Sequence, residues 1–86
     1  MVPSDFQWKP RWQYAHGELA LVLDGVHVAY LMRRVDGSWF ATLDVHRGIN
    51  APLVTRDCRS MESGRAGIET WATRHAARLR QEVGRR

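Results

Sequence analysis

Between residues 18 and 46, apolar and polar positions alternate with the period of a β-strand, and two Asp-Gly dipeptides divide the stretch into three runs. Leu19, Leu21 and Leu23 lead into Asp24-Gly25, Val26 to Val35 leads into Asp36-Gly37, and Ser38 to His46 follows. Asp-Gly tolerates the positive φ angles of a two-residue hairpin turn, so three antiparallel strands joined by two tight hairpins are expected. With two residues in each loop, Leu23 lies opposite Val26, Leu21 opposite Val28 and Leu19 opposite Tyr30. In the second hairpin Met32 then faces Ala41, Tyr30 faces Leu43 and Val28 faces Val45. Opposed residues share a face. One side therefore gathers Leu19, Leu21, Leu23, Val26, Val28, Tyr30, Met32, Trp39, Ala41, Leu43 and Val45, with Arg34 at its rim. The other carries Glu18, Val22, His27, Leu31, Arg33, Phe40, Thr42, Asp44 and His46.

The residues from Arg47 to Pro52 read as a loop, and Leu53 to Cys58 as a short fourth strand that Pro52 confines to an edge. Ser60 is an N-cap candidate, Glu62 places negative charge in the first turn, and a helix is expected over residues 60–83 with Gly84 as its stop. Met61, Ile68, Ala72, His75, Leu79 and Val83 share one stripe of that helix, with Trp71 on its edge. Gly64 and Gly67 weaken the first half, and either permit close approach to the sheet or leave that turn frayed. The expected fold is α+β: a three-stranded antiparallel β-meander, four-stranded if residues 53–58 join it, with one C-terminal amphipathic helix packed on one face. It forms a single domain over residues 1–86, with an aromatic-rich segment at 1–16 and the meander at 17–58.

Phe6, Trp8, Trp12 and Tyr14 crowd into nine residues ahead of the meander. Large exposed aromatics are adhesive. Trp8 and Trp12 are therefore expected either to fold back over the second sheet face, where Val22, Leu31 and Phe40 point away from the helix, or to dock on a partner. Trp8, Trp12, Leu31 and Phe40 thus define a candidate protein-contact or self-packing surface.

Charge is unevenly spread along the chain. Residues 1–44 carry four basic and five acidic side chains, residues 45–86 nine and four. All the basic residues but Lys9 are arginine, which suits bidentate phosphate or carboxylate contacts, although GC-rich coding also favours arginine. Arg74, Arg78 and Arg85 fall within about 40° of one another on the helical wheel. With Arg56 and Arg59 they form a candidate nucleic-acid surface. A solvated charged face has the same appearance.

The single cysteine, Cys58, precludes an intrachain disulfide and reads as a small hydrophobe. No signal peptide or apolar run of membrane-spanning length is visible, so a cytoplasmic location without membrane association is expected. His27, His46 and Asp44 have metal-binding side chains but no further clear ligand, and His75 reads as a core histidine. With no phosphate loop, catalytic acid pair or nucleophile elbow, the expectation is no enzyme, no cofactor and no metal.

The order Asp36-Gly37-Ser38-Trp39-Phe40-Ala41-Thr42-Leu43, a loop, Leu53 to Ala72 and a basic helix end resembles short phage and prophage proteins of unknown function. The likeness covers roughly residues 17–80. The chain is also similar to the three-stranded-sheet-plus-helix domains of AP2-type DNA-binding proteins and integrase arm-binding modules. That resemblance implies DNA reading by arginines and tryptophans on the strands, with no individual site residue carried over. The reading adopted is a small non-catalytic binding protein, phage- or prophage-encoded, with a protein partner or self-association preferred because no base-reading motif is visible. The alternative is nucleic-acid binding through the arginine-rich C-terminal half.

Overall fold

The computed structural model describes residues 2–11, 17–48, 51–52 and 54–84. Its sheet has five strands, β1 (Phe6–Pro10), β2 (Leu19–Leu23), β3 (Val26–Arg33), β4 (Trp39–Leu43) and β5 (Val54–Cys58), antiparallel and neighbouring in sequence order. A 3-10 turn at Val45–Arg47 separates β4 from β5, and the helices α1 (Met61–Arg74) and α2 (Ala76–Gly84) follow. The α+β meander is as expected, but it has five strands instead of three or four, and its helix is in two segments.

The additional strand comes from the aromatic segment. Phe-Gln-Trp-Lys-Pro alternates with period two and pairs with β2, setting Phe6 opposite Leu23 and Trp8 opposite Leu21. Both aromatics thus join the helix-covered core instead of folding over the second face. The Trp8 indole N–H donates to Glu69 Oε2 at 2.8 Å, tying α1 to this edge. Pro10 has no N–H to give, which suits an outermost strand. Trp12, expected like Trp8 either to cover the second face or to dock on a partner, lies outside the described residues, as does Tyr14.

The first turn forms as expected, with Asp24 and Gly25 both at positive φ. Two residues further on, a β-bulge intervenes: Val22 pairs with His27 but Leu21 with Ala29, leaving Val28 as the extra residue. Val28 and Ala29 are both fully buried. The bulge reverses the alternation of the rest of β3, so Leu31 points at the helix and Tyr30 and Met32 point away, opposite to the expected register. Leu31, assigned above to a contact surface, is 0% exposed in the core.

The second hairpin also departs from a two-residue loop. Arg34 N–H donates to Ser38 O at 2.7 Å and Gly37 N–H to Arg34 O at 2.9 Å, closing a three-residue loop, Val35 to Gly37, with Gly37 at φ 91°. The Asp36 carboxylate fixes this loop by accepting from the Ser38 N–H and hydroxyl. The loop shifts the register by one residue, which offsets the reversal at the bulge. Trp39, Ala41 and Leu43 therefore face the helix as the alternation predicts. β4 ends at Leu43, short of the expected His46, because Asp44 adopts left-handed φ and opens the 3-10 turn.

Ser60 caps α1, its hydroxyl accepting from the Ser63 N–H while the Ser63 hydroxyl accepts from the Ser60 N–H. Ile68, Ala72, Ala76, Leu79 and Val83 are buried against the sheet. Burying side chains of this size contributes about 1.5–3 kcal/mol for each large one. The helix breaks at His75, after Thr70 and Thr73 turn their hydroxyls onto the carbonyls of Ala66 and Glu69, a bond that bends helices. His75 is half-buried at this break, beside Trp71, and not in the centre of the stripe.

Candidate functional site

The arginines expected to act together are separated by the fold. Arg78 is half-buried, its Nη1 3.0 Å from both Asp44 Oδ1 and Glu82 Oε1. Arg74 is exposed beside a shallow depression formed with Glu69, Thr70 and Thr73. Arg85 lies outside the described residues, so the expected ridge of Arg74, Arg78 and Arg85 is not assembled among them. Arg56 and Arg59 do come together, at the mouth of a groove between β5 and the first half of α1.

This groove encloses about 420 Å³. Ala41, Leu43 and Ile68 give it an apolar lining, Trp71 an aromatic wall, and Ser63, Gly64 and Gly67 the helix side. The two glycines have different consequences. A Cβ on Gly64 would stand 2.6 Å from Leu31 Cδ1 and 3.0 Å from Cys58 Sγ, so glycine lets the helix press onto β3 and β5. A Cβ on Gly67 would meet nothing within 4 Å, so the missing side chain leaves open space. Close approach at one glycine and a gap one turn later shape the groove. The helix-interior glycines were the visible sign of it in the sequence, whereas Cys58 and Ser63 gave none.

Arg11, Arg34, Arg47, Arg65, Arg78 and Arg80 each have a carboxylate within 4 Å. Among the described residues, Arg33, Arg56, Arg59 and Arg74 have none. Two of these four guard the groove, where they can bind a carboxylate or phosphate in bidentate fashion. Cys58 also lines the groove, and burial pushes its thiol pKa up, which keeps it protonated and weakly nucleophilic.

A second polar cluster joins the 3-10 turn to α2. The Asp44, His46 and Glu82 ligand atoms lie within 4.8 Å of one another. Arg78 bridges the two carboxylates, and Arg47 Nη2 approaches Glu82 Oε2 at 2.9 Å. Two guanidiniums thus supply the positive charge that a metal would bring, and the cluster is an ion-pair latch. His46, 2% exposed in its side chain, has Nε2 2.6 Å from Glu82 Oε1 and donates to this ionised carboxylate. His27 is not brought to His46: it pairs with Val22 and its Nδ1 lies 3.2 Å from the Tyr30 hydroxyl.

The candidate contact surface is likewise dispersed. Trp8 packs on the core and Leu31 beneath Gly64, while Phe40 is half-buried on the second face under the Arg34 guanidinium at 4.5 Å. That face is closed at its middle, where Ala20, Val22 and Thr42 are buried. No helix among the described residues is long and apolar enough to cross a membrane. Compared with models of known families, with curated proteins and with solved structures, the chain matches none.

Proposed function

We propose that this chain is a small non-catalytic binding protein that holds a protein partner in the groove between β5 and α1. The observation that carries the reading is the pair Arg56 and Arg59, without carboxylate partners among the described residues, at the mouth of an apolar groove beside an outermost strand. Interfaces commonly combine an apolar, aromatic centre with arginine, and this groove has both.

Nucleic-acid binding is the rival reading, supported by the same arginines together with exposed Arg74 and the Trp71 ring. It is the weaker of the two. Arg78 is engaged with Asp44 and Glu82, and Arg85 lies outside the described residues, so the extended arginine ridge that a nucleic acid would track is not assembled among them.

The test compares affinity capture by the native chain, by Arg56→Glu/Arg59→Glu, and by a Lys9→Glu control on the opposite edge strand. The proposal predicts a protein retained by the native chain and the control and lost from the double variant. Retention unaffected by the double variant would move the site elsewhere. Selective loss of DNA or RNA in a low-salt gel shift, with no protein lost, would favour the rival.

A further inference from the structure

We infer that the groove receives an extended acidic peptide, which adds to β5 as a sixth strand and presents an apolar–x–acidic–x–apolar pattern to the helix side. This rests on the groove being the protein-binding site and specifies what it takes.

β5 pairs with β4 on one side and is the outermost strand on the other. Four of its five residues are exposed. Unlike β1, which has Lys9 and Pro10, it contains neither lysine nor proline, and its inward charge, Arg56, is one that an acidic side chain on an incoming strand would neutralise. An incoming strand can therefore satisfy the outward backbone groups of β5 with its own.

The side-chain pattern follows from the register. Arg56 pairs with Ala41, whose side chain is on the helix-covered face, so Val54, Arg56 and Cys58 share that face. Directly opposed residues of neighbouring strands also share a face. The incoming residue opposite Arg56 thus meets a guanidinium that has no carboxylate partner among the described residues, with Arg59 also lining the groove, and an acidic side chain is its complement. The incoming residues two positions to either side lie opposite Val54 and Cys58. Apolar side chains there extend the surface formed by Ile68 and Trp71.

A second copy of this chain is a poorer occupant. A twofold antiparallel pairing that uses the whole of β5 is centred on Arg56 and sets this arginine against its own copy.

The test uses a fluorescently labelled synthetic peptide, Thr-Val-Thr-Glu-Thr-Leu-Thr, its Glu→Lys counterpart, and two versions N-methylated at alternate residues in opposite phases. The full-length chain is titrated by anisotropy, and iodoacetamide alkylation of Cys58 reports groove occupancy. The expected result is binding of the parent peptide with slowed alkylation, and weakening by at least about tenfold with the Lys peptide or with Arg56→Glu/Arg59→Glu. One N-methylated phase should bind and the other fail. Gly67→Leu, which fills the groove without meeting a described atom at Cβ, should also block binding. Equal binding of both N-methylated phases overturns strand addition while leaving the groove as the site. No binding by the parent peptide, or a native dimer protected from exchange along β5, overturns the acidic-peptide assignment. If captured protein is also indifferent to Arg56→Glu/Arg59→Glu, the groove reading fails with it.

Discussion

Gly64 of α1 lies directly over Leu31 of β3, so closely that a methyl group on the glycine would come within 2.6 Å of the leucine Cδ1. This contact fixes the height of the helix above the sheet, and with it the groove that opens one turn later at Gly67.

The two glycines should respond oppositely to alanine. Gly67→Ala enters open space and removes a helix-interior glycine, so it should stabilise the chain by about 1 kcal/mol. Gly64→Ala must displace Leu31 or Cys58 in packed surroundings and should destabilise by roughly 1–3 kcal/mol. Urea unfolding of the two variants measures both signs. Similar shifts would show that the helix does not approach β3 as described.

The reversed register of β3 has its own test. Leu31→Ala should cost about 2–5 kcal/mol, because Leu31 is fully buried under α1. Met32→Ala, on the half-buried opposite side, should cost clearly less. The reverse order would restore the two-residue-loop pairing.

Trp8→Phe keeps the ring on the core but removes the indole N–H that donates to Glu69. A loss of about 1.5–3 kcal/mol is expected, since the acceptor is a carboxylate. A double-mutant cycle with Glu69→Gln should show coupling between the two positions, and strictly additive effects would contradict the contact.

The latch should confer acid sensitivity. Arg47 foremost, with His46 and Arg78, holds the Glu82 carboxyl at about 2 against the opposing effect of burial. A depressed folded-state pKa gives stability that is complete above the ordinary carboxylate value of 4.5 and is lost as pH falls towards 2. Glu82→Gln should cost about 1.5–3 kcal/mol at neutral pH and flatten the dependence between roughly pH 5 and 2. An unchanged acid limb in the variant would mean the latch is not responsible.

Much of this fold was legible in the chain because local chemistry was decisive there. Asp24-Gly25 set the first turn, Ser60 the helix cap, and the Trp39, Ala41, Leu43 alternation the face of β4. The run from Val26 to Met32 was not, since its apolar residues fit either face and only tertiary packing selects a bulge at Val28. Asp36-Gly37 suits two loop lengths, and the Ser38 contacts that favour three residues become visible only in the folded hairpin. Arg56 and Arg59 stood out by composition. Their separation from Arg78 did not, because Asp44 and Glu82 are remote from each other in sequence.

The most direct measurement of the central claim is amide hydrogen exchange on the full-length chain, free and bound to the protein it retains. The groove account predicts new protection along Val54–Cys58 and around Gly64 to Trp71, absent from Arg56→Glu/Arg59→Glu. Protection confined to β1, the second sheet face or the surroundings of Arg74, with exchange in β5 unchanged, would contradict it.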